Sequence, residues 1–415
     1  MAKLWKTTVA CMLVFSLILA GCGGKDKTTT ADGKRILKVW GMGGEGGSLP
    51  NMVEAFEKAN PDIDVQVQQI PWDSAHDKLL TAVASKNGPD VIQMGMTWIP
   101  EFANAGALLD LSSYTDKYPN LKPENFFEGA RETMKYNDKL IAIPWYMETR
   151  VLYYRTDLLK EVGYDQAPKT WAELQDAAKK LAARGNGNYG ILLDNQDAAF
   201  TLPFAWENGS EVISSDNKAQ FNQKPYVEAV QYLTSFYKDG SAPSQSDMQL
   251  LPAFGQGIIP MFFSGPWSIN QIHETVPQID GKWATATIPV KEEGGKSASV
   301  LGGSNWSVFS SAANKDDAVK FVSFMSDPAN QIEYYKLSKD LPSTLKAWDD
   351  KALDGEQIAT FREQMKTSRP SPFVPQWEAV GQLIKAALQQ IVVGGADIQT
   401  QMEDLNTQAD ALLQK

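Results

Sequence analysis

An α/β fold is predicted by three observations. Strand-like apolar runs alternate with amphipathic stretches after residue 35, the alternation resumes mid-chain, and two long helical stretches close the sequence. Ile36–Trp40 reads as a strand, and Leu49–Ala59 as a helix with Ser48 as its N-cap and Pro50 in its first turn. Val65–Ile70 alternates like a strand, His76–Ser85 has helical spacing, and Val91–Met94 is a short buried-type strand. Further on, Val151–Arg155, Gly190–Leu193 and Gly257–Phe263 read as strands. Trp171–Arg184 (capped by Thr170), Tyr226–Tyr237 and Asp317–Met325 read as helices. Glu378–Val393 and Ile398–Leu413 are two more, parted by Gly394-Gly395. Such alternation implies right-handed crossovers and a largely parallel sheet. Open sheets bind ligands at the carboxyl ends of their strands. The glycine-rich stretch Gly41–Gly47, Trp72-Asp73 and Gly95–Trp98 should therefore gather along one edge.

The amino terminus states a compartment. Residues 1–22 run MAKLWKTTVACMLVFSLILAGC: two lysines, an apolar core from Val9 to Ala20, then Leu-Ala-Gly-Cys. A basic start, a short apolar core and small residues at a cleavage point describe a secretory signal over residues 1–21. The core is shorter than the ~20 residues that span a bilayer. Residues 22–35 lack apolar periodicity and read as a tether to the globule. Cys11 falls in the signal, and Cys22 is the only other cysteine, so the mature globule has no disulfide and no thiolate metal site. Two histidines, His76 and His273, leave little for zinc or His-based catalysis. No metal and no cofactor is expected.

Cleavage after residue 21 leaves 394 residues, enough for two or three domains, with 37 cationic and 50 acidic side chains and a net charge of −13. That balance repels nucleic acid, whose recognition needs clustered cations.

VWGMGGEGG contains Gly41-x-Gly43-x-x-Gly46, the spacing of a dinucleotide loop. In that fold the helix begins within the glycines, so that its first amides face the pyrophosphate. Here the helix is expected from Ser48 onward, and the acid that should end the second strand is misplaced, Asp64 being early and Asp73 late. A mobile loop that brings backbone to a ligand is the better reading. The carboxylates Asp73, Glu101, Glu148 and Glu207 would suit a glycosidase, but no spacing identifies an acid–base pair. Tryptophans in turn-like surroundings are more informative. A sugar has an apolar CH face edged by hydroxyls, and an indole supplies a flat wall with an N–H at its rim. Trp72-Asp73, Thr97-Trp98 with Glu101, Trp206-Glu207-Asn208 and Asn305-Trp306 each pair such a wall with hydrogen-bonding groups.

Several stretches, in order, resemble one family: Leu-Ala-Gly-Cys as a lipobox, PWDSAHDKLLTAVAS, GPDVIQMGMTWIPEFANAGALLDL, AIPWYMETRVLYYRTDLLKEVG, TWAELQDAAKKL, FSGPW, VLGGSNWSVF and SRPSPFVPQWEAVGQLIKAAL. Together they are similar to the extracellular solute-binding proteins of bacterial ABC importers, in the carbohydrate group that includes maltose-binding protein. The resemblance implies a two-lobed periplasmic-binding-protein fold of type II, in which hinged lobes close on a sugar. It implies lobe 1 over residues 36–147 and 303–338, and lobe 2 over 148–302 and 339–415. Lipidation of Cys22, anchoring outside the bacterial cell membrane, ABC permease subunits as partners and a monomeric state also follow from it. On the first lobe it suggests Gly43, Gly44, Glu45, Trp72, Asp73, Thr97, Trp98, Gly303, Ser304 and Asn305 as ligand residues. On the second it suggests Glu148, Arg150, Trp206, Glu207, Gly265, Trp267, Arg369 and Trp377, with Trp98 and Trp267 as the principal sugar platforms. The expected ligand is a neutral sugar, an oligosaccharide rather than a monosaccharide, and no enzyme activity is expected. The rival readings are a secreted carbohydrate-active enzyme and a sugar-sensing partner of a membrane kinase.

Overall fold

The structure, a computed structural model, describes residues 28–185, 187–244 and 248–414. The signal and Cys22 lie outside the described residues. The strands that position the site are β1 (Arg35–Met42), β2 (Ile63–Ile70), β3 (Val91–Gly95), β4 (Ile143–Thr149), β5 (Val151–Arg155), β6 (Met261–Ser264), β7 (Trp283–Ala286), β8 (Ser299–Val308), β9 (Leu341–Pro342) and β10 (Ser368–Pro370). The principal helices are α1 (Gly43–Ala59), α2 (Trp72–Ser85), α3 (Trp171–Ala182), α4 (Lys224–Lys238), α5 (Trp267–Thr275), α6 (Lys315–Met325), α7 (Pro328–Ser338), α8 (Trp377–Val392) and α9 (Ile398–Leu413).

Two sheets divide the molecule into two lobes. The larger has the order β9-β4-β8-β3-β1-β2, with β10 beside β8, and the smaller is β6-β5-β7. The expectation of largely parallel sheets holds only for part of the first. β1 pairs parallel with β2 and β3, whereas β8 runs antiparallel to both β3 and β4. The smaller sheet is antiparallel throughout. Gly190–Leu193, expected as a strand, contributes only an isolated bridge from Leu192 to Phe262. The antiparallel strands arise because β8 returns to the larger sheet after a long excursion through the other lobe, so no short helical crossover dictates its direction.

Burial follows the periodicity. In α1 the buried side chains are Leu49, Met52, Val53 and Phe56, a one-sided stripe laid on the sheet. α3 begins where Thr170 accepts the Glu173 N–H at 3.2 Å, an N-cap that the sequence foretold. Two helix starts differ from expectation. α2 begins at Trp72 rather than His76, directly after Pro71, and α1 begins at Gly43 rather than near Ser48. Residues 28–35, expected as tether, fold back on β1: Thr29 bridges Arg35, and the Thr30 hydroxyl accepts the Lys34 N–H at 3.0 Å. Gly33 supplies the left-handed φ of +87° which that turn needs. Arg35 completes the closure with Nε 2.6 Å from Asp317 and Nη2 2.8 Å from Asp62.

The chain passes from one sheet to the other at a single residue. Thr149 pairs with Leu301 in the larger sheet, Val151 pairs with Ser264 in the smaller, and Arg150 stands between them. Its backbone is clamped on both sides, since its N–H donates to Ser299 Oγ at 3.1 Å and its carbonyl accepts from the same hydroxyl at 2.9 Å. β9 and β10 both pair within the larger sheet, although they lie in the stretch 339–415 expected for the second lobe.

Asn305-Trp306, read from sequence as a ligand-facing pair, lies inside β8. Trp306 is fully buried, 4.4 Å from the Trp145 ring and edge-on to Phe321. Asn305 is also fully buried and gives its amide to Thr133 Oγ1 at 3.0 Å. The one-sided burial of ladder strands is invisible where both faces are covered. Trp306→Ala should therefore lower unfolding free energy by about 3–5 kcal/mol in urea titration, while leaving the shape of the binding cleft intact. A change below about 1 kcal/mol would place the indole outside the core.

Candidate functional site

The carboxyl ends of β1, β2 and β3 do gather their loops. Gly44, Glu45, Trp72 and Gly95–Trp98 line one cavity of about 730 Å³, which Trp267 and Asp197 close from the smaller sheet's side. The volume lies in the range of small-molecule sites, about 300–1,000 Å³.

The glycine loop makes room for an aromatic wall. Gly43 has φ +51°, and a Cβ there would collide with the Trp72 indole. Trp72 lies edge-on to Trp98 at 5.4 Å, and Trp98 is braced by His76 at the same distance. His76 in turn meets Glu101 at 2.7 Å, which accounts for that acid structurally. Glu45, in the first turn of α1, takes the Trp72 Nε1–H at 3.3 Å and the Tyr146 hydroxyl at 3.1 Å. Because α1 starts inside the glycines, helix position does not argue against a dinucleotide. Electrostatics does: Glu45 places a carboxylate in the helix's first turn, where a pyrophosphate would sit, with Asp197 on the same cavity wall.

Beneath the floor runs a paired polar network. Ser304 Oγ donates to Tyr146 Oη at 3.0 Å, Gln93 Nε2 donates to Ser304 Oγ at 3.2 Å, and Gln93 Oε1 accepts the Met42 N–H at 2.6 Å. It ties the start of α1 to β3, β4 and β8, so Glu45 is held by the sheet rather than by its loop. Ser304, expected to touch ligand, is fully buried and spent on this network. Gly303 lines the cavity with φ +120°, and any side chain there would strike the Tyr146 carbonyl. Its neighbour Gly302 leaves the space that the Glu148 carboxylate fills.

Glu148 and Arg150 flank the crossing, with Arg150 Nη1 3.2 Å from Glu148 Oε1 and Nη2 3.9 Å from Asp197. Burial pushes the Glu148 carboxyl up despite that guanidinium. The Arg150 guanidinium lies over the Trp267 ring at 4.5 Å. Gly265 sits directly under that indole, and a Cβ there would overlap it.

Other expected residues lie elsewhere. Asp73 is exposed in the first turn of α2, where it suits the helix dipole. Trp206 is buried with the Arg369 guanidinium over its ring at 5.1 Å, and Arg369 pairs with Glu211 at 2.8 Å. Glu207 accepts Trp171 Nε1–H at 2.8 Å and the Ala298 N–H at 2.9 Å; burial outweighs both donors and pushes its carboxyl up to about 8. Trp377 is buried in the second lobe's core. Thr97 lines the cavity but gives its hydroxyl to Glu378 at 2.7 Å, across to α8. Sequence reasoning missed Tyr146, Asp197 and Asp340 on the cavity wall. Tyr146 stands in an unbroken apolar strand and Asp340 in a short turn, and neither carries a one-dimensional mark. Among the described residues no three His, Cys, Asp or Glu side chains converge as a metal ion requires.

Known proteins resemble this chain in sequence and in fold. Residues 41–332 match the family model described as bacterial extracellular solute-binding protein. The chain is 26% identical over 410 residues to the galactooligosaccharide-binding protein of Bacillus subtilis, covering 96% of this chain and 94% of that one. It is 25% identical over 382 residues to the diacetylchitobiose binding protein DasA of Streptomyces coelicolor, covering 87% of each. The structure of the sugar-binding protein MalE from Xanthomonas citri superposes with a TM-score of 0.83 at 32% identity, covering 91% of this chain and 97% of that one. The chain belongs to the bacterial extracellular solute-binding proteins, a family of binders. Its two-lobed α/β fold is theirs. Among the described residues no helix is long and apolar enough to cross a membrane.

Asp340 supplies a pH test. Its carboxyl is buried, accepts from the Tyr334 hydroxyl at 3.2 Å and faces Glu45 and Glu148, and burial first and Glu45 second push it up to about 8. A native pKa raised above the unfolded value means the folded state holds the extra proton. Stability is then full below the unfolded pKa of about 4 and declines as pH rises towards the native value. Asp340→Asn should flatten the fall of urea unfolding free energy between about pH 5 and 8, by up to about 1.4 kcal/mol per pH unit. An unaltered slope would show that this carboxyl titrates normally.

Proposed function

We propose that this member of the family is a receptor for a neutral sugar, an oligosaccharide, which it binds in the cleft between its lobes and delivers to an ABC importer. The observation that carries the reading is the cavity wall itself: the indoles of Trp72, Trp98 and Trp267 stand among the hydrogen-bonding groups of Glu45, Glu148, Arg150 and Asp197, drawn from both lobes. Indoles cover the CH faces of a pyranose, and carboxylates accept from its hydroxyls in charge-assisted hydrogen bonds. A ligand touching both lobes stabilises the closed arrangement by the contacts it makes only there. The sugars for which two relatives are named, galactooligosaccharide and diacetylchitobiose, support the same ligand class.

The lobes of this reading are residues 36–147 with 303–338 and residues 148–302 with 339–415, apart from β9 and β10, which belong to the larger sheet, and they turn about Arg150. Cys22 is the acylated amino terminus that holds the receptor outside the cell membrane, and the receptor works as a monomer without turning over its ligand.

Titration of residues 34–415 with malto-, cello-, xylo- and galacto-oligosaccharides, followed by tryptophan fluorescence, should show saturable micromolar binding of one series, near −8 kcal/mol. Chromatography of the same tubes should recover the sugar intact, and shortened products would make the protein an enzyme. Trp267→Ala should weaken that binding by about 1–4 kcal/mol in calorimetry, and parental affinity would remove Trp267 from the site. In a bacterial host the full chain should fractionate with membranes and incorporate labelled palmitate, whereas Cys22→Ala should do neither.

A further inference from the structure

The cleft continues beyond Trp267. A second chamber of about 720 Å³ opens into the smaller-sheet lobe, walled by Phe200 and Phe263 with Asp194 and Gln389 at its edge. Glu148, Arg150, Asp197, Trp267 and Gly302 line both chambers, so they form the neck between the two. Of these, Arg150 is the long side chain that spans the neck, from the Glu148 carboxylate to the Trp267 ring.

Three features make that side chain movable while its root is fixed. The backbone is held by Ser299 on both sides. The side chain keeps 30% of its surface exposed. Nη1 is buried and, beyond the ion pair with Glu148 Oε1 at 3.2 Å, has no hydrogen-bond partner. An unsatisfied buried donor favours any ligand oxygen that reaches it. The ring beneath is equally suited to exchange, since an indole face that stacks a guanidinium also stacks a pyranose.

We propose that Arg150 is a displaceable partition that sets the length of saccharide the cleft accepts. A short saccharide occupies the chamber beside Trp72 with Arg150 in place. A longer one lifts the guanidinium from Trp267, takes that indole face and threads into the chamber beside Phe200. This rests on the saccharide reading above, and the chamber walls favour a chain with stackable rings and hydroxyls in both halves.

The test is calorimetry with increasing lengths of the series that the parent binds, on the parent, Arg150→Ala and Arg150→Met, after circular dichroism and thermal melting show that all three fold. Arg150→Ala removes the bulk and should raise affinity for the longer members, relative to the shorter, by tenfold or more. Arg150→Met keeps the bulk but loses the ion pair and the stacking that hold it over Trp267, so it should shift the profile towards longer members by less than Arg150→Ala does. A parental profile in Arg150→Ala overturns the partition, as does a shift in Arg150→Met as large as that in Arg150→Ala. If no saccharide binds the parent, the saccharide reading fails and acrylamide quenching decides the rest. The Trp267 contribution, taken against Trp267→Phe in each background, should become severalfold more quenchable in Arg150→Ala. Unchanged quenching would show that Arg150 does not cover the ring.

Discussion

The antiparallel ladder between β4 and β8 runs from the centre of the first lobe, where Ile143 faces Trp306, to the floor of the cleft, where Glu148 faces Gly302. Everything at the site is referred to it. The ladder's inner end is anchored by the tilted Trp145–Trp306 ring contact, and its outer end continues through Arg150 into the other sheet. Side chains on the floor therefore inherit the rigidity of a buried sheet, while the two lobes are joined where that sheet stops. A site built on strands and closed by a hinge needs both properties at once.

Glycine is what lets this floor carry large groups. Gly302 yields space to the Glu148 carboxylate, Gly43 to the Trp72 ring and Gly265 to the Trp267 ring. Each pairing couples a position without a side chain to a neighbour with an unusually large or charged one. The glycine loop is thus no phosphate cradle. Its absent side chains define the surface on which an indole lies.

The floor is also short of cations. Glu45, Glu148, Asp197 and Asp340 line the cleft with Arg150 among them, and burial raises the carboxyls of Glu148 and Asp340. Buried carboxyls raised in this way gain from hydroxyl partners, which satisfy their oxygens without demanding a countercharge. An anionic ligand would still meet the Glu45 and Asp197 carboxylates on the cleft wall. The same carboxylates, each placed on a different element, are positioned to discriminate among hydroxyl arrangements, because an unmatched buried group carries the selectivity.

The sequence by itself determined the α/β class, the four longest helices of the second lobe, the cap at Thr170 and the gathering of three loops at one sheet edge. These follow from local periodicity, capping chemistry and the connectivity rule for parallel strands, all of which act over a few residues. It did not reveal that α1 starts inside the glycines, because Gly and Pro lower helix propensity and only the packing of Leu49, Met52 and Phe56 draws the first turn into register. Nor could it separate Trp72, Trp98 and Trp267, which line the cleft, from Trp206, Trp306 and Trp377, which do not, although Trp98 is as buried as Trp206. An indole fits a core and a sugar equally well, and its neighbours in sequence do not say which it meets. Tyr146, Asp197 and Asp340 joined the site only in three dimensions, since the chain that crosses at Arg150 and returns through β8 brings residues nearly two hundred positions apart onto one wall. Such contacts are set by how the sheets stack, a property of the whole fold and of no local stretch.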